Sequence, residues 1–384
     1  MSPVSPLIAT FLRTALRSRF DPTAADAAAE LAARPDFRWD TALAVAAGQG
    51  VLPLLYATLA PCSWLPESAR APLREAYTST ALHNRLFLNE LGRVLPLLDS
   101  HGVDVILLKG VALVAGLYGD PGLRPMADLD LLVRPAAAAT AMAVLQDASY
   151  HPLEDEVVPG ATLAYESQVV LLKSHPVPIG IELHWHLLDS PHYQRLVDMD
   201  WFWQTRQPVA GFTADVLGPE AQLLHLCAHL WLHHRGQGLL WQFDIVALLA
   251  AAALDWQTIL DRARAYDLVL STRHVLIGLA QHWQAPVPPS VLAQLRELAP
   301  SAAERRLVTR LTAPHRPVWQ RFWTDLMAMD AWSSRLRYAW INLFPSPAYM
   351  RHRYEISHPY LLPLYYPYRW YRGLRGLVRP PKRP

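Results

Sequence analysis

Through the first hundred positions the chain places apolar residues three and four apart, the spacing of one helix face. Residues 23–33 and 41–59 are Ala-rich helical stretches, separated by breaks at Pro35 and around 61–66, and residues 67–100 predict one longer helix ending near Gly102. The pattern then changes. Val105-Ile106-Leu107-Leu108 is a short apolar run that fits a buried strand; Lys109-Gly110 follows and opens a helical stretch to about Tyr118. A turn cluster at 119–122 precedes a second strand at 129–133 and an Ala-rich helix at 136–147. Two more strands, 167–173 and 179–187, flank a Pro-rich turn at 175–178. From Pro191 onward helical spacing returns, at 219–234, 239–253, 256–266, 272–283 and 290–298, and the segment after Trp319 is dense in Trp, Tyr and Arg without a clear period.

This pattern predicts an α+β protein. A helical N-terminal region (1–102) precedes a small mixed-sheet core (103–190), a helical C-terminal domain (191–355) and a basic, aromatic tail (356–384). The strands are too few for a doubly wound nucleotide fold. Composition supports a sizeable core: of 384 residues, 52% are hydrophobic and 18% charged, which excludes global disorder. A net charge of +2 is too small for a nucleic-acid coat. That charge is unevenly placed, because no acidic residue follows Glu355 while Arg369, Arg372, Arg375, Arg379, Lys382 and Arg383 do. Such a tail suits contact with anionic lipid, an acidic partner or nucleic acid, or is simply a solvated end. Pro359, Pro363, Pro367 and Pro380 argue against one continuous amphipathic helix there.

Cys62 and Cys227 make neither a disulfide framework nor a Cys-rich zinc pattern. The chain starts without a basic stretch leading into an apolar one. It also lacks an uncharged apolar run of the roughly 18 to 20 residues that span a bilayer. A cytoplasmic location is the expectation.

The candidate chemistry lies between Leu107 and Val133. Residues two apart on a strand share a face, so Asp128 and Asp130 point one way while Leu129 and Leu131 enter the core. Two adjacent carboxylates oppose joint ionisation unless a cation lies between them, and oxygen ligands suit Mg²⁺. In Ile179-Gly180-Ile181-Glu182-Leu183-His184-Trp185-His186, alternation puts Glu182, His184 and His186 on one face, and Leu183, Trp185 and Leu187 on the other. If that strand neighbours 128–130, Glu182 completes a three-carboxylate site for two metal ions. Lys109-Gly110 at a strand-to-helix junction suits phosphate, through free N–H groups, close backbone approach and a point charge. Arg124 is a candidate bidentate phosphate clamp.

These residues carry a resemblance. The run from Leu107 to Val133 resembles the polymerase-β-like nucleotidyltransferase superfamily, with a small-residue helix start, Asp-x-Asp and a later acidic strand residue. More narrowly, the Leu-Lys-Gly start, Tyr-Gly-Asp-Pro-Gly-Leu-Arg-Pro at 118–125, Asp-Leu-Asp-Leu-Leu-Val and Glu-Leu-His-Trp look like the uncharacterised bacterial nucleotidyltransferases. Further echoes at 225–229, 241–244 and 344–347 extend the resemblance over roughly 75–355. It implies metal ligation by Asp128, Asp130 and Glu182, with Mg²⁺ or Mn²⁺ as cofactor and a nucleoside triphosphate as donor. Nucleotide binding falls near Gly110, with Lys109, Arg124 and His184 as further candidates. Where the superfamily has Gly-Ser, this chain has Lys109-Gly110, so a serine hydroxyl contact to phosphate is missing.

The implied activity is transfer of a nucleoside monophosphate to an unknown acceptor, a small molecule, peptide or RNA, with release of pyrophosphate. A toxin-type enzyme modifying tRNA or protein, a tailoring enzyme, and a non-catalytic nucleotide-binding module are the alternatives. Two further features have open roles. His225, His229 and His233 form a stripe at i, i+4 and i+8, either lining the cleft, facing solvent or holding a structural metal, and Asp244 is a candidate partner for one of them or a capping or salt-bridge group.

Overall fold

The computed structural model describes residues 5–175, 177–313, 318–329 and 331–378. Four short helices open the chain: α1 (Pro6–Arg17), α2 (Thr23–Ala32), α3 (Trp39–Gly48) and α4 (Leu52–Leu59). The stretch expected to be one helix over 41–59 is two. Gly50 takes a left-handed φ of +69°, and the Val51 N–H turns back to the Ala46 carbonyl, closing α3 with a glycine-dependent cap. The long helix α5 (Glu67–Ser100) forms as its periodicity predicts, about 50 Å long. Its buried positions Phe87, Leu91, Val94, Leu95 and Leu98 make one stripe, into which the polar Asn84 is also turned.

The sheet follows. Its strands are β1 (Ile106–Leu107), β2 (Leu129–Leu132), β3 (His151–Pro152), β4 (Gln168–Lys173), β5 (Ile179–His184), β6 (Gln207–Pro208) and β7 (Asp215–Val216). They lie in the order β3-β4-β5-β2-β1-β7-β6. β2 pairs parallel with β5 and β1 parallel with β7; the other neighbours are antiparallel. β3, β6 and β7 are two residues each, too short to show alternation, and β6–β7 extend the sheet with residues beyond position 190. Between the strands lie α6 (Lys109–Leu113), which runs into a single π turn at Val114–Tyr118, then α7 (Ala138–Asp147) and α8 (Ala161–Tyr165).

Helices resume with α9 (Pro191–Leu196), α10 (Met199–Gln204), α11 (Pro219–Leu232), α12 (Leu239–Ala251), α13 (Trp256–Ala265), α14 (Val269–Trp283), α15 (Pro289–Glu297) and α16 (Ala302–Leu311). Beyond them come α17 (Val318–Ala328), α18 (Trp332–Leu343), α19 (Pro347–Arg353) and α20 (Leu362–Val378). α20 is continuous through Pro367, against the expectation from its prolines. Pro363 sits in the first turn, where an N–H has no helical partner, and Pro367 forfeits a single bond one turn later. Arg379, Lys382 and Arg383 lie outside the described residues, as does Pro176 in the expected turn.

The sheet divides two cores. Leu107, Leu129, Leu131, Val133, Ile181 and Leu183 pack with the C-terminal half of α5 and with α7. Ile106, Leu108 and Leu132, from the opposite face, join the large helical core of α1–α4 and α9–α16. Period-two alternation therefore points Asp130, which shares a face with Leu132, towards the helical domain. Among the described residues no helix is long and apolar enough to cross a membrane.

Candidate active site

The register of β2 against β5 builds the site. Asp130 pairs with Glu182 and Leu132 with His184, so the two carboxylates stand side by side on neighbouring strands. Asp128, just before β2, falls opposite Gly180, where a Cβ would lie in ordinary contact 3.9 Å from the Asp128 Cβ. Asp130, Glu182 and His184 offer ligand atoms that all lie within 4.8 Å of one another. His184 Nε2 is 3.0 Å from Asp130 Oδ1 and 3.5 Å from Glu182 Oε2, and Gln168 from β4 donates to Glu182 at 3.5 Å.

Lys109 sits at the junction of β1 and α6, where the Leu108 N–H bonds to the Asp130 carbonyl. Its φ of +45° is left-handed, a conformation that costs a non-glycine residue roughly 1–2 kcal/mol. The ammonium reaches Asp130 Oδ1 at 2.7 Å and Glu182 Oε2 at 3.0 Å. The lysine expected to meet phosphate thus lies between the two carboxylates. Burial works against its charge, but Asp130 and Glu182 outweigh burial and hold its pKa well above the ordinary value. The hydrogen bond from His184 and the charge of Lys109 in turn hold Glu182 far below the usual carboxylate range, against burial. His184 is fully buried, yet its bonds to Asp130 and Glu182 raise its pKa despite burial and the nearby lysine.

Asp128 differs. Among the described residues its carboxylate makes no hydrogen bond or ion pair, and burial, then the negative charges of Asp130 and Glu182, push its pKa up to about 6. The cluster is therefore short of positive charge although Lys109 lies within it. Oxygen ligands with a residual negative charge are the donor set a divalent cation such as Mg²⁺ takes, so the residues present fit one.

The loop that delivers Asp128 is tied down from both sides. From α5, Tyr77 donates to Asp120 at 2.9 Å, His83 Nε2 lies 3.1 Å from the Met126 carbonyl, and Asn84 donates to the carbonyls of Pro121 and Arg124, each at 2.7 Å. From α12, buried Asp244 receives Arg124 in bidentate fashion, with Nε at 3.1 Å and Nη2 at 3.0 Å, and also the Tyr118 hydroxyl at 2.7 Å. The guanidinium expected to clamp a phosphate is here engaged within the protein, its Nη1 donating to the Pro125 carbonyl. Of the two roles open to Asp244, a histidine partner or a capping or salt-bridge group, it takes the salt bridge and so holds the loop. Gly110 is buried against this arginine: a Cβ would come within 2.5 Å of Arg124 Nη1. On α5, the trace of these tethers in the sequence is Asn84, a polar residue among mainly apolar buried positions.

The histidine stripe runs along α11. His225 is buried with both ring nitrogens unpartnered among the described residues, His229 and His234 are half-buried with their Nε2 atoms 3.1 Å apart, and His233 is exposed. Burial first, then the charge of Lys109, push His225 and His229 well below the ordinary imidazole value; burial, with His233 and then Lys109, pushes His234 to about 4. Burial thus disfavours the charged form of His225 and His229, which lie near Lys109, while His233 at the end of the stripe faces solvent. Among the described residues it forms no cluster of three metal ligands. β5 ends at His184; the N–H groups of Trp185 and His186 both turn to the Ser167 carbonyl, which breaks the alternation and sends Leu187 to the helical core.

A mixed sheet with Asp-x-Asp at the start of one strand and a glutamate in register on the parallel neighbour has the arrangement of a nucleotidyltransferase core. The chain matches the family model described as "Uncharacterised nucleotidyltransferase" over residues 35–285, well over half its length, and it belongs to that family. Among solved structures it is similar to an antigenic nucleotidyltransferase-like protein from Paracoccidioides brasiliensis. That match has 16% identity and a TM-score of 0.34, and covers 57% of this chain and 95% of that one. No curated protein matches the chain.

Proposed function

We propose that the protein transfers a nucleoside monophosphate from a nucleoside triphosphate to an acceptor hydroxyl or phosphate, using a divalent cation. The new bond joins the acceptor oxygen to the α-phosphorus, the α–β bridging bond breaks, and pyrophosphate leaves. The observation that carries this reading is the pairing of Asp130 with Glu182, with the unpaired carboxylate of Asp128 beside them. Asp128, Asp130 and Glu182 would hold Mg²⁺ or Mn²⁺, which supplies charge neutralisation for the triphosphate. His184 positions Asp130 and Glu182 by hydrogen bonding to both. On this reading Lys109 gives up its carboxylates when nucleotide and metal bind and turns its ammonium to phosphate, and Gly110 lets backbone N–H groups approach the same phosphates. The 103–190 core and the helical domain after 191 would form the two walls of the cleft. A cytoplasmic setting suits a triphosphate donor.

The test is pyrophosphate release with each nucleoside triphosphate, Mg²⁺ or Mn²⁺, and cell extract as the acceptor pool. The Asp128→Ala/Asp130→Ala protein is the control. Release above that control is expected; equal release from both proteins sinks the catalytic reading. The position of Lys109, bridging Asp130 and Glu182 without a metal, favours a second reading, a nucleotide-binding module that does no chemistry. It predicts that nucleotide binds and no pyrophosphate appears.

A further inference from the structure

Exposed large apolar side chains concentrate on α17, α18 and α20. On α18, Trp332, Leu336, Trp340 and Leu343 recur at helical spacing on one face, and all are exposed, Trp332 by 73% and Trp340 by 63%. Trp323 and Met327 do the same on α17, and Leu364, Tyr368 and Tyr371 on α20; α17 packs against both α18 and α20. With Phe344 and Tyr360, eleven of the eighteen exposed large hydrophobic side chains among the described residues fall between 323 and 371. Single exposed apolar residues are ordinary; three neighbouring helices that each present a stripe are not.

Charge is concentrated in the same segment. From position 318 to the end the sequence has eleven Lys and Arg against three carboxylates, although the whole chain is only +2. Some of these cations lie over the exposed rings: the Arg335 guanidinium is 5.3 Å from the Trp332 ring centre and that of Arg372 is 5.9 Å from Tyr368.

We propose that this face docks the protein on an anionic lipid membrane, lying on the surface rather than spanning it. Trp and Tyr rings suit the headgroup boundary, Leu and Met side chains reach the acyl region, and the arginines meet acidic headgroups. Exposed Leu336, Leu343, Leu364 and Met327 decide against nucleic acid, since aliphatic side chains stack poorly on bases. The excess of positive charge decides against a second copy of the same face, which it would repel.

The experiment is co-sedimentation of the full chain with phosphatidylcholine vesicles, with and without phosphatidylglycerol, at low and high salt. Binding to the anionic vesicles is expected, weakening at high salt. Trp332→Ser/Trp340→Ser should lower the partition coefficient by roughly tenfold through lost apolar insertion. Arg337→Gln/Arg372→Gln should lower it about 25-fold, at about fivefold per charge near an acidic surface. All four side chains are exposed, so thermal melting of both variants should match the parent and separate binding from folding. The proposal is overturned by equal binding to neutral vesicles, by variants that bind like the parent, or by absent vesicle binding together with retention on RNA or dimerisation. It does not depend on the catalytic reading, because inactive Asp128→Ala/Asp130→Ala protein should sediment with vesicles like the parent.

Discussion

Asp128→Asn separates what the acidic cluster costs the fold from what it does. The Asp128 pKa rises from 3.8 to about 6 on folding, so the folded state holds this proton more tightly than the unfolded chain does. The sign follows from linkage. Below pH 3.8 both states are protonated and there is no penalty; between 3.8 and 6 the penalty grows; above 6 it is complete. Two pKa units correspond to about 3 kcal/mol at pH 7, a ceiling because the carboxylate keeps some contact with water. At pH 4 the same relation leaves about 0.5 kcal/mol. Asparagine has nearly the same shape and no charge, so in EDTA the variant should be more stable than the parent by about 2–3 kcal/mol at pH 7 and by very little at pH 4. Urea unfolding at the two pH values reads this directly. Adding Mg²⁺ or Mn²⁺ should then stabilise the parent and not the variant. An equal gain at both pH values would mean that the carboxylate is not strained by its neighbours. A loss at pH 7 would refute the charge argument altogether.

Three more outcomes follow from the geometry. Lys109→Met removes the cation between Asp130 and Glu182 and should cost about 3–5 kcal/mol in EDTA, with millimolar Mn²⁺ restoring part of the melting temperature; no restoration would show that the carboxylates do not accept a metal. Arg124→Ala should cost about 3–5 kcal/mol by stranding buried Asp244, whereas Arg124→Leu/Asp244→Leu should recover most of that loss, and chemical unfolding that finds the two sites additive would disprove the pairing. Gly110→Ala drives a methyl group to within 2.5 Å of Arg124 Nη1 and 3.3 Å of the Met126 side chain, so a loss of about 1–3 kcal/mol in thermal or urea unfolding is expected, and no loss would mean that the loop gives way freely.

Local pattern was enough for much of the fold. Helical spacing located α5, and alternation assigned Asp130 and Glu182 to strand faces opposite Leu131 and Leu183, because a side chain's face is set by backbone period alone. Short elements escaped it: β3, β6 and β7 hold two residues each, too few to show a period, and are defined only by their pairing with distant segments or with each other. The break between α3 and α4 was written in Gly48-Gln49-Gly50 but needed the left-handed φ at Gly50 to be recognised.

The sequence by itself determined which residues carry charge, which share a face, and that an acidic pair requires a cation. It left the identity of that cation open, and its motif suggested phosphate partners for Lys109 and Arg124. Tertiary structure decided which contacts these residues make in the protein as it stands: the β2–β5 register brings Glu182, 52 positions later, beside Asp130, and the ammonium of Lys109 lies between them. Packing of α12 against the π turn brings Asp244, 120 positions from Arg124, to bind that guanidinium. Partners so distant along the chain leave no local pattern, because opposite charges find each other through the packing of whole elements rather than through spacing.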